Sequence, residues 1–227
     1  MKLLLFDAGN TLVWLDHAFV VEVLAEHGVR ASEDEVLGAE YHAKLLLDEL
    51  VRSGNGGDDA SRGRVYFAEV FRRLGLPEAA FEAAARRLYQ RHFEHNLWAR
   101  VRPGTTDVLR QLKDAGYRLA VISNADGRVE ALLEGVGLRE YFEFVIDSGV
   151  VGIEKPDPRI FQMALERAGV APADAVYIGD LYEIDVVGAR AAGLRAILLD
   201  PLGHWTALDC ERVAALDELA ARLGSPA

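Results

Sequence analysis

Four apolar residues, Leu3-Leu4-Leu5-Phe6, run directly into Asp7-Ala8-Gly9-Asn10-Thr11. This junction is the strongest constraint on what the chain can fold into. An unbroken apolar run of this length, closed at once by turn residues, reads as a buried strand. A carboxylate left unpaired inside the core would cost several kcal/mol. Asp7 therefore belongs at the carboxyl edge of a sheet, where open α/β folds place their ligands.

The rest of the chain supplies that sheet. From Arg118 onward, short apolar runs alternate with helix-like segments, the pattern of a parallel α/β domain. The runs are Leu119-Ala120-Val121-Ile122, Phe144-Val145-Ile146, Ala175-Val176-Tyr177-Ile178 and Ala196-Ile197-Leu198-Leu199, which with residues 3–6 predict five strands. Between them, helical spacing links Val108, Leu109, Leu112 and Ala115, and again Ile160, Phe161, Ala164, Leu165 and Ala168. Gly116, Gly169 and Gly193 follow such helices, and Pro158 stands at a first helical position with Asp157 as cap.

After the first strand come roughly 85 residues with no convincing strand, too long for a loop inside a compact domain. They predict an inserted helical domain over 15–98, with helices near 18–27, 33–52, 63–75 and 78–95 and a connector at Ser53 to Asp59. Residues 1–14 and 99–227 then form the core.

Composition narrows the function. With 227 residues and 51% apolar content the chain can bury a large core. A formal charge of −11, without a block of Lys or Arg, argues against nucleic acid or an anionic membrane as partner. An anionic substrate would need a local positive field. The single cysteine, Cys210, excludes an internal disulfide and suits a reducing cytosol. No stretch reaches membrane-spanning length, and the apolar start meets Asp7 too soon for a signal peptide. A soluble, cytoplasmic protein is expected; nothing in the sequence sets its oligomeric state.

Three further stretches carry chemistry. Ser123-Asn124 closes a strand at the same edge as Asp7, where a hydroxyl, the following backbone N–H groups and a helix start near Gly127 suit phosphate oxygens. Gly152 to Pro158 brings Lys155, one of four lysines in the chain, to the start of a helix. A cation beside a positive helix end suggests a nearby anion. In Tyr177-Ile178-Gly179-Asp180-Leu181-Tyr182-Glu183-Ile184-Asp185, Asp180 lies at a strand end and Asp185 in the first turn of the next helix. Such a pair can face one hard cation, which is how Mg²⁺ is held. Either acid taken singly also fits a helix cap.

In this order and at these strand ends, the four pieces resemble the four motifs of the haloacid dehalogenase superfamily. The resemblance implies a Rossmann-like core with a five-stranded, mainly parallel sheet and an inserted helical cap that closes over substrate. It further implies that Asp7 attacks phosphorus to form an aspartyl phosphate, with Ser123, Asn124 and Thr11 at the transferring group. Lys155 would orient the nucleophile and offset charge. Mg²⁺ would be held by Asp7, Asp180, Asp185 and the backbone carbonyl of Gly9. The substrate would be a small phosphorylated metabolite.

One residue departs from the phosphatase pattern. Family phosphatases carry a second aspartate two residues after the nucleophile, as general acid and base, and here that position is Gly9. A glycine carbonyl still serves a metal, but acid–base help worth ~10²–10⁴-fold is missing. A phosphatase selective for good leaving groups fits this departure, as does one borrowing an acid from Asp16, His17, His42 or His204. Those four read more simply as surface or capping residues. Other family chemistry also fits: 2-haloacid dehalogenation, or phosphonate cleavage with a cap lysine. So does a non-catalytic phosphate-site binding protein. The retained Asp180–Asp185 pair opposes dehalogenation, since crowded carboxylates repel without a cation. Lys44, the lysine of the inserted segment, reads as an exposed i, i+4 partner of Glu40 and Asp48.

Overall fold

The computed structural model describes residues 2–205 and 208–223. Its strands, in chain order, are β1 (Leu3–Phe6), β2 (Trp14–Leu15), β3 (Trp98–Arg100), β4 (Arg118–Ser123), β5 (Val145–Asp147), β6 (Ala175–Gly179), β7 (Arg195–Leu199) and β8 (Glu211–Val213). Its helices are α1 (His17–Glu26), α2 (Glu33–Arg52), α3 (Asp59–Arg73), α4 (Phe81–His95), α5 (Thr105–Asp114), α6 (Val129–Gly135), α7 (Ser148–Val151), α8 (Pro158–Ala168), α9 (Gly188–Ala191) and α10 (Leu219–Leu223). They divide into two units. One runs to Trp14 and resumes at Val101; the other is Leu15–Arg100.

The first unit is an α/β sheet of six strands in the order β5-β4-β1-β6-β7-β8. Its recorded pairings are parallel, with Leu3 opposite Arg118 on one side and Ala175 on the other. Parallel strands covered on both faces have no polar side, which is why β1 and β6 are buried at every position. The sixth strand, β8, corrects the expected five. Its Glu211-Arg212-Val213 contributes one buried apolar side chain and so leaves no apolar run to read. The helix expected near Gly127 begins at Val129. Helix α8 starts as the sequence predicts, with Asp157 accepting the N–H of Arg159 and Pro158 inside the first turn.

This topology fixes where function can sit. The chain leaves β1 for β4 and β5 on one side, then crosses to β6, β7 and β8 on the other. Because the strands run the same way, Asp7, Ser123, Asp147 and Asp180 all fall at one edge. Asp7 lies where the strand order reverses, the crevice in which open α/β sheets bind ligands.

The second unit is helical, with the short ribbon of β2 and β3 where the chain enters and leaves it. Ser32 caps α2 in a capping box with Glu35, and Asp58 caps α3, which starts earlier than expected because its first turn lies in the polar stretch read as connector. Val20, Val23, Leu24, Val36, Val70 and Phe71 form its core. Lys44 corrects the expectation of an exposed pair: its side chain is 2% exposed, and Glu40 and Asp48 are buried with it. Helix α2 buries more than one face, and the second carries charged and polar residues that an apolar period does not register. The Lys44 ammonium lies 4.5 Å from the ring centre of Tyr41. Among the described residues no helix is long and apolar enough to cross a membrane.

Candidate active site

The nucleophile candidate follows β1 directly. The N–H of Asp7 donates to the carbonyl of Ile178 at 2.8 Å, extending the ladder by one bond, and the chain then folds back. The N–H groups of Leu12 and Val13 both donate to Ala8, at 2.9 and 3.0 Å. Asn10 takes the left-handed conformation in this turn, at φ 52°. Gly9 bridges to Val13 and is not among the glycines with positive φ. Thr11 is fully buried, and its hydroxyl has no hydrogen-bond partner among the described residues.

Lys155 is the centre of the site. Its ammonium donates to Asp7 Oδ1 at 2.6 Å, to Asp185 Oδ1 at 2.7 Å and to the Tyr177 hydroxyl at 2.7 Å. The side chains of Lys155 and Asp185 are 2% and 1% exposed. Burial alone would favour a neutral amine. The carboxylates of Asp185 and Asp7 outweigh it and hold the ammonium charged, with its pKa raised. For Asp7 the balance goes the other way. Burial pushes its carboxyl above the usual carboxylate range against the opposing pull of Lys155, and the charges of Asp185 and Asp180 push in the same direction as burial.

Asp180 follows β6 directly, and Asp185 lies in a π-helical stretch, Tyr182–Val187. That wider turn folds the Asp185 carboxylate back onto the strand end. Its Oδ2 accepts the N–H groups of Asp180 and Leu181, both at 3.0 Å. A Cβ on Gly179 would overlap this carboxylate, so only glycine fits there. Asp7, Asp180 and Asp185 each place a carboxylate oxygen within 4.8 Å of the others. Three carboxyl groups this close together in a buried place are a donor set that fits a hard cation.

The Ser123-Asn124 stretch differs from its expected use. The side-chain amide of Asn124 clasps the backbone of Lys155, donating to its carbonyl at 2.9 Å and accepting its N–H at 2.8 Å. Three N–H groups of the stretch that follows are also engaged. Ala125 donates to the Ser148 hydroxyl, Gly127 to Asp147 Oδ1 and Val129 to Asp147 Oδ2. Ser123 remains at the end of β4, with a single long contact of 3.5 Å to the carbonyl of Asn124.

Of the suggested replacement acids, Asp16, His17 and His42 belong to the helical unit and His204 to the first unit. Asp16 caps α1 and bonds Arg100, and His204 donates its backbone N–H to Asp200. His17 is not a surface residue: its ring pairs with Glu40, which also accepts the Tyr66 hydroxyl, inside the helical unit. His42 lies on an open groove of that unit with Arg30 and Arg73. Two site residues escaped the sequence reading, Tyr177 and Asp147. A tyrosine in an otherwise aliphatic buried strand is a usable signal, since its hydroxyl must find a partner.

The family model for haloacid dehalogenase-like hydrolases matches residues 1–193. The chain belongs to this family of hydrolases. It is 37% identical over 207 residues to haloacid dehalogenase-like hydrolase domain-containing protein 3 of Bos taurus, covering 88% of this chain and 82% of that one. It is 31% identical over 199 residues to the glyceraldehyde 3-phosphate phosphatase of Methanopyrus kandleri, covering 86% and 82%. Among solved structures, the 2-haloacid dehalogenase of Pseudomonas syringae matches with a TM-score of 0.59 at 26% identity, over 99% of this chain and all of that one.

Proposed function

We propose that this protein is a cytosolic, Mg²⁺-dependent phosphomonoester hydrolase that acts on a small phosphorylated metabolite through Asp7. One observation carries the reading: the buried carboxylates of Asp7, Asp180 and Asp185 converge on one another, and the Lys155 ammonium bonds Asp7 and Asp185. Similarity to a named phosphatase supports the phosphoryl class. Against dehalogenation stands the Asp180–Asp185 pair, which needs a cation to offset its repulsion.

Asp7, Asp180, Asp185 and the carbonyl of Gly9 are the groups that would hold the metal. When bound, Mg²⁺ supplies positive charge against the phosphoryl oxygens. The chain's own residues do the rest. An oxygen of Asp7 forms a bond to phosphorus while the ester P–O bond breaks, and the leaving oxygen departs with the electron pair. Lys155 holds the Asp7 carboxylate aimed and offsets its charge, and the Ser123 and Thr11 hydroxyls face the transferring group. Water then attacks phosphorus, releasing inorganic phosphate and restoring the Asp7 carboxylate. The helical unit has the part of a cap that excludes bulk water. With glycine at position 9 no side chain there protonates the leaving oxygen, so esters with acidic leaving groups are the favoured substrates.

The test is hydrolysis of p-nitrophenyl phosphate by the full chain. Activity should vanish in EDTA, return with Mg²⁺ and be abolished by Asp7→Asn. Full activity in EDTA, with halide released from a 2-haloacid, would replace this reading with dehalogenation.

A further inference from the structure

The Tyr177 hydroxyl occupies a position that the steps of phosphoryl transfer do not use. It projects from the middle of β6, fully buried, onto the ammonium of Lys155 at 2.7 Å. The same oxygen lies 3.1 Å from Asp185 Oδ1 and 3.2 Å from the carbonyl of Ile122. An ammonium has three N–H donors, and here they go to Asp7, Asp185 and Tyr177. Two of those acceptors are the carboxylates that a substrate and a cation would engage. The phenol is the third, neutral and fixed to the sheet. A phenol accepting from lysine can still donate its own proton, either to Ile122 or to Asp185.

The ring itself cannot swing. Its edge packs against Phe161 of α8, with centroids 5.0 Å apart at 78°. Helix α8 follows the loop that carries Lys155, so one helix start and one strand hold the lysine and the tyrosine together. From the other side the Asn124 clasp fixes the lysine's backbone. Without the phenol, the ammonium would keep its two carboxylates but lose the contact that sets its rotation about the Cε–Nζ bond and its height above Asp7.

We infer that Tyr177 is a positioning residue for the reaction at Asp7: its hydroxyl anchors the Lys155 ammonium so that one N–H stays directed at the nucleophile. The inference rests on the phosphatase reading for its kinetic consequence and not for its structural one. Misplacement of a charged group by a fraction of an ångström damages the transition state more than substrate binding. Loss of the hydroxyl should therefore fall on kcat.

Two variants test this, Tyr177→Phe, which keeps the ring against Phe161, and Tyr177→Met, which also lacks the hydroxyl but packs differently. With p-nitrophenyl phosphate and Mg²⁺, both should lower kcat by about 10- to 100-fold with KM within about twofold of wild type. A second measurement needs no turnover. The chain has four lysines, so protein labelled with ¹⁵N-lysine offers few side-chain ammonium signals, and Lys155→Ala assigns one of them. In wild type the Lys155 signal should be sharp, because three hydrogen bonds slow exchange with water. In both variants it should broaden or disappear while the backbone spectrum stays folded. A Lys155 signal unchanged in the folded variants would overturn the inference whatever happens to kcat, and so would an unchanged kcat. If wild type shows no phosphatase activity, the functional reading fails, and the spectra still decide whether Tyr177 anchors the lysine.

Discussion

Gly9 is the residue on which the chemistry of this site turns. Its backbone is outside the left-handed region, so a side chain can be built there without conformational strain at that residue. Gly9→Asp should raise hydrolysis of alkyl phosphates by up to ~10²–10⁴-fold, the usual worth of a general acid, and have a smaller effect on aryl phosphates. A series of esters of graded leaving-group pKa checks it: the wild-type rate should depend steeply on that pKa and the variant's only weakly. A shallow wild-type dependence would mean that another acid already acts. Asp147 is a second test at this scale. Its carboxylate accepts three N–H groups, from Gly127, Val129 and Gly149, so Asp147→Ala should destabilise the fold by about 1–3 kcal/mol in urea titrations by leaving the buried Val129 donor unmet and the two glycine donors to water. Asp7 was legible in the sequence because a carboxylate closing an apolar run must reach a sheet edge to avoid unpaired burial. Lys155 was legible because a cation beside a positive helix end calls for an anion close by. Asp147 was not, because an acid after a strand looks the same whether it meets substrate or caps a neighbouring loop. The bond that Asn124 makes was not legible: its amide holds the lysine's backbone, a partner 31 residues away that no local pattern indicates.

At the scale of elements, what could be read was whatever buries an apolar stripe. The five expected strands announce themselves as apolar runs and the four helices of the inserted unit by period, whereas β8 does neither. The polar face of α2 was misread for the same reason: Glu40, Lys44 and Asp48 at four-residue spacing look like a solvated row, and burial must be seen to be known. The π-helical stretch that turns Asp185 back onto the strand end was equally silent, since the sequence reads as an ordinary helix start. Helix α3 carries its own electrostatic test. Glu69 is buried and accepts the Nε groups of Arg72 at 3.0 Å and Arg73 at 2.7 Å, and these bonds and charges outweigh burial to lower its pKa. A carboxyl whose folded pKa is lowered adds stability above its unfolded pKa and loses it as pH falls through the folded value. Glu69→Gln should therefore destabilise the protein at pH 7 by about 1 kcal/mol, a low figure because both arginines are more than a third exposed. The gap between variant and wild-type melting temperatures should close below about pH 4.

At the scale of the whole molecule, the cation site proposed at Asp7, Asp180 and Asp185 should couple stability to Mg²⁺ binding. Mg²⁺ at a hundred times its dissociation constant should stabilise the native state by ~2.7 kcal/mol, raising the melting temperature by about 5–10 °C, and Asp180→Asn should remove most of that rise. The position of β1 has a further consequence for how the protein is made. This strand is synthesised before either of its partners, yet it stands between them in the sheet, at Arg118–Ser123 and Ala175–Gly179. At about 5–20 residues per second, Leu3–Phe6 waits on the order of 10 s or longer for both neighbours to be synthesised. All of Leu15–Arg100 emerges in that interval. Four consecutive apolar side chains are thus displayed by the nascent chain until Ile178 can accept the N–H of Asp7, which makes this short segment the natural target for a chaperone during translation.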